Sequence, residues 1–137
     1  MSDVNDFNSQ VIAEFRANGG VVGGPFEGTE LLLLTTTGAK SGLERVNPVA
    51  CRIEGDTIYV FASKAGAPTD PDWFHNLVAD PEVTVELGAD SFRARATVVE
   101  GAERDRIYAA HAAENPGFAA YQEGTDRVIP VVLLDRA

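Results

Sequence analysis

The sequence predicts a mainly β domain with flanking helices, in the form of a small antiparallel barrel. Three observations point there. β-type runs come in pairs separated by turn residues, as in hairpins. The elements follow the order helix, three strands, helix, two strands, helices, strand. The helical segments are short and amphipathic, which suits packing on the outside of a sheet. With 137 residues, 45% of them hydrophobic, and no internal repeat, the chain reads as a single domain. An N-terminal amphipathic helix lies within residues 1–19, and the barrel with its helices spans 30–135.

Residues 6–17 place Phe7, Val11, Ile12 and Phe15 on one helical face, and Gly19-Gly20 stops the pattern. The polar face carries Asp6, Glu14 and Arg16. Such a helix suits packing over the domain better than membrane insertion, although it is the one segment through which a membrane could be touched. VVGGPFEG, residues 21–28, is a glycine-rich surface connection. Leu31–Thr37 joins four leucines to three β-branched threonines and makes a strand. Arg45–Ile53 and Thr57–Ala62 form a hairpin around Glu54-Gly55-Asp56. Asp70-Pro71-Asp72 opens the helix PDWFHNLVAD, with a capping carboxylate and proline in the first turn, and Pro81 forbids its continuation. Glu82–Leu87 and Ser91–Val99 form a second hairpin, with Phe92, Ala94, Ala96 and Val98 on one face and Arg93 and Arg95 on a solvated one. A helix over 102–114 carries Ile107, Tyr108, His111 and Ala112 at helical spacing. Asn115-Pro116-Gly117 separates it from a short aromatic helix, FAAYQ, and Val128–Leu134 is the final strand.

Function is concentrated in the loop between the first two strands. Gly38-Ala39-Lys40-Ser41-Gly42 combines glycines, a hydroxyl and an ammonium, and Arg45 follows. Backbone N–H groups can approach an anion closely in such a loop while Lys40 supplies charge. The chain holds only two lysines, Lys40 and Lys64, each in a glycine-bearing loop after a β-type run. A formal charge of -10 argues against nucleic acid and anionic membrane as partners, so any anion site is local. The loop is not a nucleoside-triphosphate P-loop. Its spacing differs, and it leads into a strand rather than a helix N-terminus.

Other catalytic chemistries are poorly supplied. Two histidines, His75 and His111, cannot build a histidine-rich metal site, and no metal is expected. There is no G-x-S-x-G nucleophile elbow. The single cysteine, Cys51, excludes an internal disulfide and sits in a strand-like run where packing is the simpler role; with no signal peptide the chain reads as cytoplasmic. An enzyme with this composition would let a bound cofactor carry the chemistry.

TTTGAKSGLERVNP, YVFASKAGAPTDPDWFHNLVADPEVTVE and YQEGTDRVIPVVLL together resemble the deazaflavin-dependent nitroreductase family of actinobacteria, over residues 18–134. The resemblance implies a split β-barrel of the flavin-nucleotide-binding kind. It also implies coenzyme F420, the 8-hydroxy-5-deazaflavin hydride carrier with a phosphodiester and an oligoglutamate tail. The implied reaction is reduction of a small-molecule acceptor: a quinone, nitroaromatic or activated enone. Lys40, Ser41, Gly42 and Arg45 would hold phosphate and carboxylates, and Asn47 and Pro48 would lead into the ring pocket. Ala62, Ser63 and Lys64 would serve the opposite side. Trp73, His75, Asn76 and Leu77 match the family's cofactor-proximal helix, where Trp73 is either a contact or a core aromatic and His75 either a contact or a tie to the barrel.

Phe118 and Tyr121 would border the acceptor, with Tyr121 and Ser63 as candidate proton donors. Phe118 stands where the nitro-reducing members carry a tyrosine, and Phe74 replaces a tyrosine beside the tryptophan. Reduction of bicyclic nitroimidazoles is therefore less expected than reduction of quinones. Two alternatives accompany this expectation: a split-barrel oxidoreductase using flavin mononucleotide (FMN), and a protein that sequesters a flavin-like or apolar ligand without turnover. Monomer and homodimer are equally available.

Overall fold

The structure, a computed structural model, describes residues 3–20, 31–63, 70–125 and 128–136. The expected connection 21–28 and the second lysine loop with Lys64 lie outside them. Six strands close into one antiparallel barrel: β1 Leu31–Thr37, β2 Glu44–Glu54, β3 Thr57–Phe61, β4 Glu82–Leu87, β5 Asp90–Val99 and β6 Val131–Arg136, in the order β1-β2-β3-β6-β5-β4. Among the described residues, four helices pack around it: α1 Asp3–Ala17, α2 Asp72–Ala79, α3 Gly101–Glu114 and α4 Pro116–Glu123.

The strand sequences report which parts of the barrel wall are covered. Leu32 and Leu34 point into the barrel, with Val49, Cys51, Val60, Val85, Ala94 and Leu134. Leu31 and Leu33 point outward and are buried too, under Val11 and Phe15 of α1. A strand covered on both faces has no polar positions to alternate, which explains the unbroken leucine run. β5 shows the opposite case. Ala94 and Ala96 face the core, while Arg93 donates to the Thr84 hydroxyl at 3.1 Å and Arg95 pairs with Glu82 at 3.1 Å on the open outer surface.

Val11, Ile12 and Phe15 of α1 thus pack on the barrel, and no helix among the described residues is long and apolar enough to cross a membrane. Arg16 pairs with Glu86 on β4 at 2.8 Å. At the exit of α1, Gly20 (φ +99°) meets the β4–β5 turn so closely that a Cβ would lie 2.7 Å from the Cα of Gly88. Both the positive φ and the contact require glycine there.

α2 closes one end of the barrel by inserting Trp73 and Leu77 into the interior cluster. Its start differs from the expected cap: the N-cap is Pro71, no side chain caps the helix, and the proline sits one position earlier than a first-turn residue. α3 and α4 cover the outer face of β3 and β6 with a second cluster of Tyr59, Phe61, Ile107, Tyr108, Ile129 and Val131, joined by Phe118 and Tyr121. α4 buries none of its own residues. Polar ties hold it instead. The Tyr108 hydroxyl donates to the Phe118 carbonyl at 2.6 Å, and Arg104 donates to Gln122 Oε1 at 2.6 Å and to the Ile129 carbonyl at 2.8 Å.

Candidate active site

The loop between β1 and β2 is built by its own backbone. Gly38 N–H donates to the Leu43 carbonyl at 2.7 Å, Gly42 N–H to the Gly38 carbonyl at 2.9 Å, and Leu43 N–H to the Ser41 hydroxyl at 3.2 Å. Gly42 adopts φ +72°, and a Cβ at Gly38 would lie 2.6 Å from Ser41 Oγ, so each glycine answers a geometric demand. The N–H groups of Lys40 and Ser41 have no acceptor among the described residues and face solvent at the exposed tip.

Asn76 of α2 anchors this loop from behind. Its Oδ1 accepts from Ala39 N–H at 3.0 Å, and its Nδ2 donates to Thr36 Oγ1 at 3.2 Å. The side chain is buried, with both ends of its amide engaged, so it positions the loop from beneath. Asn76→Ala is expected to cost about 2 kcal/mol, because the part-buried Ala39 N–H and the buried Thr36 hydroxyl lose their partner together. Thermal melting of the variant measures this, and an unchanged melting temperature would refute the anchoring role.

Charge is distributed unevenly. Arg16, Arg52, Arg95, Arg104 and Arg106 all pair with carboxylates, Arg93 is hydrogen-bonded to Thr84, and Arg136 lies over the Phe92 ring at 4.4 Å. Among the described residues, only Lys40 and Arg45 are cations with no protein partner; both are exposed. The neighbouring strand positions are less open. Asn47 and Pro48 are half-buried opposite Leu34 and Leu33. Ala62 is fully buried, and its N–H is used by the Pro130 carbonyl at 3.0 Å; Ser63 beside it is half-buried.

On α2, Trp73 and Leu77 are core residues of the barrel end, which is the packing role left open for Trp73 by the sequence. His75 is exposed, its ring edge-on to Phe74 with centroids 6.0 Å apart. Phe118 and Tyr121 sit elsewhere, 5.3 Å apart in the aromatic cluster on the outer face of β3. The expected site residues therefore fall into two groups, a cationic loop backed by α2 and an aromatic cluster under α4. β3 connects them: Phe61 belongs to the aromatic group, and Ala62 and Ser63 follow directly.

The aromatic group contains His111, whose helical spacing leaves both packing and a place on the helix surface open. Its ring stacks on Phe61 at 4.2 Å and meets Phe118 edge-on at 4.4 Å. Burial is the main cause that pushes this imidazole down to about 4, aided by the nearby Arg52 guanidinium and opposed by Glu114. Helical spacing with Ile107 and Tyr108 is compatible with an inward-facing residue, but nothing in the sequence marks what encloses it.

The F420H(2)-dependent quinone reductase family matches residues 8–136. This chain belongs to that family. An F420H(2)-dependent quinone reductase from Mycobacterium tuberculosis strain H37Rv is 36% identical over 128 residues, covering 90% of this chain and 86% of the relative. A solved F420-H2 dependent reductase, FDR-A, superposes with TM-score 0.71 at 37% identity, covering 77% of this chain and 94% of its own. A second solved structure, described as a domain-swapped dimer, gives TM-score 0.73 at 32% identity and covers 98% of this chain and 100% of its own. The F420H(2)-dependent reductase is thus an oxidoreductase on a split barrel, with coenzyme F420 as its cofactor, as the sequence resemblance implied.

The residues fit that cofactor. A polyanionic tail needs cations and backbone N–H donors in an otherwise acidic protein; among the described residues, Lys40 and Ser41 at the loop tip and Arg45 at the start of β2 supply them without another partner. Among the described residues no group of His, Cys, Asp or Glu could hold a metal ion.

Proposed function

We propose that this reductase passes a hydride from reduced coenzyme F420 to a quinone in the cytoplasm, with Lys40, Ser41, Gly42 and Arg45 holding the anionic tail. The observation that carries the assignment is the pair of cations without a partner among the described residues, Lys40 on the loop and Arg45 at the start of β2, beside a loop whose shape is fixed by two glycines and by Asn76. When bound, the cofactor supplies both electrons of the reduction. The protein's contribution is placement. Lys40 and Arg45 attract and fix the tail, and Asn76 keeps the loop N–H groups presented. Asn47 and Pro48 lead from that loop toward the ring pocket, Ser63 beside the buried Ala62 borders it from the opposite side, and Phe118 and Tyr121 receive the acceptor ring. The Tyr121 hydroxyl or the Ser63 hydroxyl delivers the proton that completes the reduced product. Trp73 and Leu77 act through the barrel end that they fill. Lys64 serves the tail from the second loop.

Fluorescence titration with F420, with FMN as the parallel ligand, followed by menadione addition to the reduced complex, tests the assignment. Tight F420 binding with menadione-dependent oxidation is expected. Preference for FMN would move the fold to the flavin alternative, and binding without oxidation would favour sequestration. Lys40→Ala is expected to weaken F420 binding about tenfold at low salt, with the gap narrowing as salt rises and the melting temperature unchanged, because an exposed loop charge contributes little to stability. Equal affinities at low salt would remove Lys40 from the tail site.

Homodimerisation by exchange of an element is supported by the neighbour described as domain-swapped and by barrel closure, which leaves no strand edge for two copies to share. Light scattering across a concentration series tests it.

A further inference from the structure

His111 is 5% exposed, and its Nε2 is a buried polar atom with no hydrogen-bond partner among the described residues. Folded proteins seldom leave such an atom unsatisfied where nothing uses it. The other ring nitrogen, Nδ1, lies 3.5 Å from the Asn115 amide Nδ2, which can only donate. Asn115 Nδ2 donates mainly to the His111 carbonyl at 3.1 Å. Facing that donor, Nδ1 is assigned as the acceptor, which assigns the proton of the neutral ring to Nε2. The result is an N–H donor enclosed by aromatic rings, with Phe61 stacked on the imidazole and Phe118 edge-on to it.

Of these rings, Phe118 is the one that can move. It is half-buried, on a helix that buries none of its residues, while its backbone carbonyl is pinned by Tyr108. Its ring packs against Phe61, Tyr108, His111 and Tyr121, and turning it away from them would open an apolar space whose donor is the His111 Nε2–H. That matches a planar carbonyl compound, whose ring replaces the Phe118 ring and whose oxygen accepts one hydrogen bond.

We propose that His111 determines specificity for carbonyl acceptors: rotation of the Phe118 ring uncovers its Nε2–H, which donates to the carbonyl oxygen of a bound quinone. This rests on the acceptor side assigned above to Phe118 and Tyr121. The imidazole stays neutral throughout and transfers no proton; its dipole stabilises the oxygen that gains negative charge during reduction.

Isotope-labelled protein, first without cofactor, is titrated with menadione while the imidazole nitrogens of His111 are followed by NMR. The expected result is a proton on Nε2 in the free protein and a shift of that N–H as menadione binds. His111→Phe keeps the ring shape and removes the donor. The ratio of menadione to N-methylphenazinium turnover, the latter acceptor lacking an oxygen, is expected to fall about a hundredfold. F420 affinity, measured by fluorescence, serves as the folding control, and His111→Leu repeats the comparison should the phenylalanine distort the cluster. A proton on Nδ1, an unmoved His111 signal, or a parallel loss with both acceptors would overturn the proposal. Wild-type protein that shifts His111 with menadione yet never reduces it would retire the reductase assignment while keeping the hydrogen bond.

Discussion

Arg104→Leu is expected to lower the melting temperature by about 10 °C and to cut turnover with menadione more than it weakens F420 binding. The guanidinium is buried and donates to the Ile129 carbonyl at 3.0 Å and 2.8 Å and to Gln122 Oε1 at 2.6 Å, while lying 4.5 Å over the Tyr108 ring. Gln122 Oε1 also accepts from Ile129 N–H at 3.0 Å. One side chain thus ties α3, α4 and the approach to β6. Leucine fills much of the volume but leaves a buried carbonyl without its donor and removes the 2.6 Å hydrogen bond to Gln122 Oε1 while the longer one from Ile129 N–H stays. The loss of these bonds is about 3 kcal/mol, and a domain of this size loses roughly 3 to 4 °C per kcal/mol. The functional part follows because α4 has no fully buried side chain; without Arg104 it keeps only the Tyr108 and Ile129 hydrogen bonds and the partial packing of Phe118 and Tyr121, so the placement of those two rings loosens. Thermal melting and steady-state kinetics on one preparation measure both effects; a variant that melts like wild type would show that Arg104 is dispensable.

Stability is expected to decline between pH 6.5 and about 4 by up to about 3 kcal/mol through His111 alone. In the unfolded chain the imidazole takes a proton below its ordinary value near 6.5, whereas in the folded protein burial keeps it neutral down to about 4. Over that window the unfolded state binds more protons, so acid favours unfolding; above pH 6.5 this penalty is absent. The charged groups that face the ring are Arg52 on β2, which favours the neutral form, and Glu114 on α3, which opposes it. Glu54 behaves differently. Its hydrogen bond from Arg52 holds the carboxylate below the usual range, so its contribution is lost only at still lower pH. His111→Phe should therefore flatten the upper part of the acid limb and leave the lower part in place. Denaturant melts from pH 7 to pH 4 for both proteins test this, and identical slopes would mean that the imidazole is hydrated in the folded state.

Most of the architecture was legible because periodicity records covering. The leucines of β1 and the alternating arginines of β5 state in advance which barrel surface lies under a helix. Boundaries were less legible where one atom decides them. Pro130 has no N–H to give a ladder, so β6 begins at Val131 rather than at Val128, which is exposed. The missing cap on α2 is similar: Asp70-Pro71-Asp72 has the composition of a capped start, but Pro71 itself takes the cap position. In the candidate site, the cationic loop was legible from the scarcity of lysine. The roles of Asn76 and Arg104 were not, because an amide on a short helix and an arginine in a charged segment look solvent-facing until the partners from distant strands are known. Trp73 presented the same ambiguity, since filling a barrel end and touching a cofactor call for the same large ring.

The position of β6 between β3 and β5 has a consequence for how the chain is made. β6 is sixth in chain order but neighbours two strands completed much earlier. A growing chain that has emerged only through α4 can pair β1 with β2, β2 with β3 and β4 with β5, yet it holds β3 and β5 as open edges facing each other across a gap. Nascent chains must wait in that state, with apolar inner faces and unpaired backbone exposed, until residues 131–136 slot in and complete both ladders in one event. A chain truncated between α4 and β6 is therefore expected to aggregate more readily than the finished one.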